Sequence, residues 1–287
     1  MAGAAAEWIL NVSGIEERRF AAEGESVADM GALAAKDCLA SAGIEAKDLG
    51  MLLVSSGSSE RRFPGPAAGV ARRLGLDNIP AIDLPMASAG SLFAMALADR
   101  LTASHGNTLV VAAEKMSSVV LKQPMSATTS VLFGDGAGAC LVSPNAGFLR
   151  IVDSALYTDG AFSDDLKLEL DGPLEMNGRT VILQASRKIP RAIGDLLDKH
   201  KRTAAEVGCF LLHQANQNLI VRVAEALGVS AEKFYSNIRR YGNTSSASML
   251  IAAAEWQRQS GFEMGKSIVF ATFGAGFHWG ALLAEGC

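Results

Sequence analysis

The chain has 287 residues, of which 49% are apolar and 20% charged, with a formal net charge of −4. That composition is globular and excludes a disordered chain, and mild acidity without any basic block excludes a nucleic-acid-binding surface. No apolar run approaches the ~20 residues of a membrane helix, and the alanine-rich start at 1–6 lacks the basic region of a signal peptide, so a soluble, cytoplasmic protein with no membrane partner is expected.

Short apolar runs alternate with helical patterns along the chain, which predicts an α/β fold with buried strands. Residues 26–42 read as an amphipathic helix, with Ser26 as N-cap and Gly43 past its end. A buried strand at 51–55 precedes a helix at 64–74, then a short strand at 81–84 and a small-residue helix at 88–104. Strands are expected at 108–113, 130–132 and 137–142. After the break at Ser143, Pro144 and Asn145 the alternation resumes, which divides the chain into halves at 1–145 and 146–287. The second half is predicted to hold strands at 149–156, 209–212, 267–271 and 279–283, with helices at 181–200, 217–227 and 245–259. Cys38, Cys140, Cys209 and Cys287 are scattered, with no Cys/His grouping at metal-ligand spacing, so free thiols and no metal are expected.

Four segments carry polar chemistry. In Asp83-Leu84-Pro85-Met86-Ala87-Ser88-Ala89-Gly90 a strand turns into a helix, placing the Ser88 hydroxyl where peptide dipoles stabilise negative charge. A serine there also serves as an ordinary N-cap. Leu212-His213-Gln214-Ala215-Asn216 puts a histidine at the end of a buried strand, the position of either a reacting group or a hydrogen-bonded core histidine. Tyr241-Gly242-Asn243-Thr244-Ser245-Ser246-Ala247-Ser248 is a small polar loop entering a helix, and 273–280 is a Gly-rich hairpin that opens no helix, which excludes a dinucleotide-binding turn.

In this order, with Phe133-Gly134-Asp135-Gly136-Ala137-Gly138 and the N-terminal Glu7-Trp8-Ile9 and Ser13-Gly14-Ile15, these segments resemble the beta-ketoacyl-acyl-carrier-protein synthase III family of thiolase-like condensing enzymes, over nearly the whole chain. The resemblance implies two topologically similar halves in a layered α-β-α-β-α arrangement, and a homodimer in which Phe63 reaches toward the partner's acyl pocket. It implies acyl-CoA or the phosphopantetheine of an acyl-carrier protein as substrate, with no permanently bound cofactor. Ser88 would take the acyl group, and His213 and Asn243 would hold the thioester oxygen of a malonyl unit. The backbone N–H groups of Ser88 and Ala275 would form the acyl oxyanion hole. Trp8 would stack on adenine, and Met86 and Ser91 would border the acyl channel, Ser91 making room where a bulkier residue is common.

Three departures from the family pattern carry weight. The nucleophile position holds Ser88 in place of cysteine, and a hydroxyl needs a general base that a thiolate does not. His213 is the first candidate for that base, in a Ser–His dyad, and His278 the second. Val12, Ala127 and Asn218 stand where phosphate-binding arginines are typical, and Glu225 and Ala226 where a lysine pair is common. Arg61, Arg62, Arg187, Lys188 and Arg191 can replace that charge or form a solvated surface. The chain also opens past the family's first strand, so the N-terminal half is expected to be one strand short. The reading is an acyltransferase passing an acyl group from Ser88 to a malonyl-carrier protein or another acceptor; the alternative is a catalytically silent subunit pairing with an active homologue.

Overall fold

The computed structural model describes residues 5–123, 125–170 and 172–287. Helix α1 (Ala6–Ser13) and helix α2 (Val27–Ala42) lead into β1 (Met51–Ser55), α3 (Pro66–Leu74), β2 (Ala81–Leu84), α4 (Gly90–His105) and β3 (Thr108–Lys115). Two short helices, α5 (Ser117–Val120) and α6 (Ala127–Ser130), precede β4 (Asp135–Val142). The remainder contains β5 (Leu149–Thr158), β6 (Leu166–Leu168), β7 (Leu174–Met176), α7 (Gly178–Lys199), β8 (Val207–Leu212), α8 (Gln217–Leu227) and the short α9 (Ile238–Tyr241). It ends on α10 (Ser248–Ser260), β9 (Ser267–Gly274) and β10 (His278–Gly286).

The local signals explain most boundaries. Ser26 and Asp29 form the capping box that starts α2, and Gly43, at φ 64°, ends it in the left-handed conformation. Helix α3 begins two residues later than expected because Pro66 takes the first helical position, where its missing N–H costs nothing. The strand expected at 130–132 does not form. Ser130 closes α6, and the Leu132 carbonyl accepts the Asn243 N–H in an isolated bridge between Phe133 and Asn243, outside both sheets.

Two four-stranded sheets organise the molecule, in orders β2-β1-β3-β4 and β5-β10-β9-β8. Side-chain alternation along each strand feeds separate cores on its two faces. Leu52, Val54, Leu109 and Val111 pack outward against α2 and α3. Leu53, Val110, Leu211 and Phe270 pack inward with Leu92 of α4 and Met249 and Leu250 of α10. On the far face, Phe210, Val269 and Leu283 meet Ile193 of α7 and Val223 of α8. The result is five layers, helix–sheet–helix–sheet–helix, the arrangement that the resemblance implies.

The sheets correspond strand by strand. β1 and β3 are parallel and β3 and β4 antiparallel, as are β8 with β9 and β9 with β10. β10 carries β5 on its outer edge, whereas among the described residues no strand lies on the outer edge of β4.

Candidate active site

Ser88 lies in the turn from β2 to α4 with φ 60°, a left-handed conformation costly for a residue with a Cβ. The strain argues for a functional turn. Ser88 does not cap the helix: Ala89 holds the N-cap position and α4 has no side-chain cap. The Ser88 N–H donates to Ser245 Oγ at 3.0 Å, so the donor expected for the oxyanion hole is engaged within the chain.

His213 follows β8 directly, and its N–H extends the ladder to the Ala271 carbonyl at 2.9 Å. Its Nδ1 lies 2.6 Å from Ser248 Oγ, which also accepts the Gln214 N–H at 3.0 Å. Burial without a countercharge holds the imidazole pKa down at about 4. No hydrogen bond joins His213 to Ser88 Oγ among the described residues, so the expected Ser–His dyad is not formed. The reason is geometric, since the strand end and Ser248 fix the ring. His278, the second candidate, is equally occupied: Nδ1 lies 2.8 Å from Thr158 Oγ1, and the ring meets Phe93 edge-on.

Asn243 is held by both backbone groups, donating to the Leu132 carbonyl at 2.9 Å and accepting from Gly134 at 3.0 Å. Its Oδ1 accepts the Ser245 N–H at 2.9 Å, which leaves Nδ2 as the side chain's donor. The turn 243–248 therefore grips three elements at once. Ser245 reaches the Ser88 turn, Ser248 reaches His213, and Ser246 donates to the fully buried Glu114 at 2.7 Å. Glu114 also accepts from Ser58 Oγ at 2.6 Å and the Gly57 N–H at 3.0 Å. The loop motif contained Ser245, Ser246 and Ser248 without a role for any of them, and motif reasoning passed over Glu114. An acid closing the apolar strand at 108–113 was the one available sign.

The Gly-rich hairpin lies against the nucleophile turn. A Cβ at Gly274 would stand 3.0 Å from Ser88 Cβ and collide with the Ala87 carbonyl, so only glycine permits that approach. Ser88 and His213 line a cavity of about 50 Å³ walled by Leu166, Val181, Ile189, Leu219 and Phe273. Trp8, Phe63, Met86 and Ser91 do not border it. Trp8 is 45% and Phe63 85% exposed, while Ser91 is fully buried with its hydroxyl unpaired, so it opens no room in this cavity.

The charged candidates separate as well. Arg61, Arg62, Arg187 and Arg191 lie at the surface. Lys188 does not: its Nζ is 2.6 Å from Asp159 and 4.0 Å above the Trp279 ring. Asn218 spends its amide on the Asn11 and Val12 carbonyls, both at 3.2 Å, and so ties α1 to α8.

The 3-oxoacyl-[acyl-carrier-protein] synthase III model matches residues 82–160, and the model of that family's C-terminal part matches 197–285. A beta-ketoacyl-[acyl-carrier-protein] synthase III of Oleidesulfovibrio alaskensis is 36% identical over 96% of this chain and 89% of that protein. The crystal structure of the Aquifex aeolicus synthase III superposes with a TM-score of 0.94 at 33% identity, over 98% of this chain and 91% of that one. The priming beta-ketosynthase of the R1128 polyketide pathway follows at 0.90 and 28%, over 99% and 89%. The turn that carries Ser88 thus lies within a synthase III scaffold, and the chain belongs to the 3-oxoacyl-[acyl-carrier-protein] synthase III family.

Proposed function

We propose that the protein is a synthase III-type acyltransferase acting on thioesters of coenzyme A or of a carrier protein's phosphopantetheine. Ser88 accepts the acyl group as the thiol leaves, with the hydroxyl proton ending on that thiol. His213 and Asn243 then hold the oxygen of a malonyl thioester while carbon dioxide departs; the enolate attacks the acyl carbon, its ester bond to Ser88 Oγ breaks and that oxygen takes a proton from solvent, or the acyl group passes to another acceptor by the same exchange. No cofactor stays bound. The observation that carries this reading is the turn 243–248, which secures Ser88, His213 and Asn243 from one short segment. Preorganised donors of this kind are worth roughly 3 kcal/mol each in the transition state. Free thiols at Cys38, Cys140, Cys209 and Cys287 fit the reducing cytoplasm.

The test is intact mass after incubation with short, branched and aromatic acyl-CoAs. A one-acyl increment is expected in the wild type and absent in Ser88→Ala. His213→Ala and Asn243→Ala should each slow carbon dioxide release from malonyl-coenzyme A about 100-fold. One observation favours the silent-subunit reading instead, namely that Ser88 Oγ has no hydrogen-bonded base among the described residues. An unmodified mass with every donor, together with a stable complex with an active homologue, would establish that reading.

A further inference from the structure

Ser248, the first residue of α10, is 2% exposed, and its hydroxyl has two partners among the described residues. One is the Gln214 N–H at 3.0 Å and the other is His213 Nδ1 at 2.6 Å. A peptide N–H can only donate, so it occupies a lone pair of Ser248 Oγ and leaves the hydroxyl hydrogen unassigned. Among the described residues, the acceptor within reach of that hydrogen is Nδ1. The reverse arrangement, with Nδ1–H donating to Ser248, would leave the hydroxyl hydrogen buried without a partner, which folded proteins avoid.

We propose that Ser248 is a positioning residue that sets the tautomer of His213, keeping the ring proton on Nε2. The histidine thereby enters the site as a hydrogen-bond donor and not as a base for Ser88. The assignment deepens the proposed function and rests on it for its chemical meaning, since a donor suits a thioester oxygen gaining negative charge.

The surroundings leave little freedom for another arrangement. Gln214 cannot shift, because its side chain donates to the Leu212 carbonyl at 2.8 Å and accepts the Asn237 N–H at 3.2 Å. The same turn treats Asn243 alike, engaging Oδ1 so that Nδ2 remains to donate. Two side chains of different chemistry are therefore presented with the same polarity. A protonated Nε2 cannot accept the Ser88 proton, which leaves instead with the departing thiol.

The tautomer is read by long-range proton–nitrogen correlation on uniformly nitrogen-15-labelled protein. Four histidines keep the spectrum simple, and His213→Gln assigns the signal. The wild type should show protonated Nε2 and bare Nδ1. Ser248→Ala should lose that single state and release carbon dioxide from malonyl-coenzyme A about tenfold more slowly, while Ser248→Thr, which keeps the hydroxyl, should retain both. A wild-type Nδ1–H tautomer, or Ser248→Ala with tautomer and rate unchanged, overturns the assignment. Should the tautomer behave as expected while the wild type releases no carbon dioxide, the proposed function falls and the role of Ser248 stands.

Discussion

An imidazole buried without a countercharge lowers stability only once the solution is acid enough to charge its unfolded counterpart. The pKa of His213 is about 4 in the folded chain against an ordinary 6.5. Between these values the unfolded state binds the extra proton, so stability falls as pH drops through that window and is fully present above it. From pH 7 to pH 5 the loss from this residue is roughly 2 kcal/mol. Urea unfolding of the wild type and of His213→Gln at both pH values isolates it, because other groups cancel in the difference. The wild type should lose that much more than the variant, and equal losses would show that His213 is not held neutral. At this scale the sequence revealed Ser88, His213 and Asn243, which stand out by type at the ends of apolar strands. It could not reveal Ser245 or Ser248, because small hydroxyl residues entering a helix occur wherever a helix needs a cap.

The hairpin joining β9 to β10 is held from outside the site. Asp159 and Phe277 exchange both backbone hydrogen bonds, at 2.9 and 3.0 Å, and Phe162 stacks on Phe277 with ring centroids 5.2 Å apart. Lys188 closes the grip by pairing with the Asp159 carboxylate while lying over the Trp279 and Phe162 rings, and the ammonium holds that carboxyl below the usual range. A hairpin fixed in this way would hold the Ala275 N–H, the donor expected for the oxyanion hole, without further movement, which is what oxyanion stabilisation demands. Lys188→Ala should reduce the acylation rate of Ser88 roughly tenfold with little change in the acyl-CoA concentration giving half-maximal rate. Lys188→Arg should restore most of it, since guanidinium also pairs with carboxylate and lies over aromatic rings. Stopped time courses by intact mass provide both quantities, and a weaker apparent affinity at unchanged rate would contradict the hairpin role. Nothing in the spacing of Asp159 and Lys188 announced the contact, because it joins a loop to the mid-face of α7. The elements themselves were largely legible: α8 matches its expected bounds, and the exceptions have local causes. Helix α1 went unread because Ala5, at its N-cap, offers no side-chain cap to mark its start, and 130–132 looked like a strand because β-branched and small residues satisfy either state.

Across the whole molecule the two halves meet through α4 and α10 in the central layer, and the site sits where that layer ends. Glu114 ties the layers together there, linking the loop after β1 to the turn before α10. The two sheets differ at their margins. β2 forms one open edge of the first sheet, opposite β4, with Ile82 43% exposed on it and Phe63, 85% exposed, on the loop between β1 and α3. An edge with unpaired peptide groups and apolar side chains is a template for pairing, and proteins leave one open where a partner covers it. A second copy of the chain would satisfy both features by joining β2 to β2 across a twofold axis, since an antiparallel pair is self-complementary. That arrangement would also carry each Phe63 toward the other subunit. The wild type is therefore expected to sediment as a dimer at micromolar concentration. Ile82→Lys, which places charge on the edge without touching the site, should shift it toward monomer by at least tenfold in dissociation constant. A wild type that remains monomeric up to 100-fold higher concentration than the assay would rule the β2 pairing out, while Phe63→Ala in the dimer should alter which acyl groups reach Ser88 and leave its fold intact.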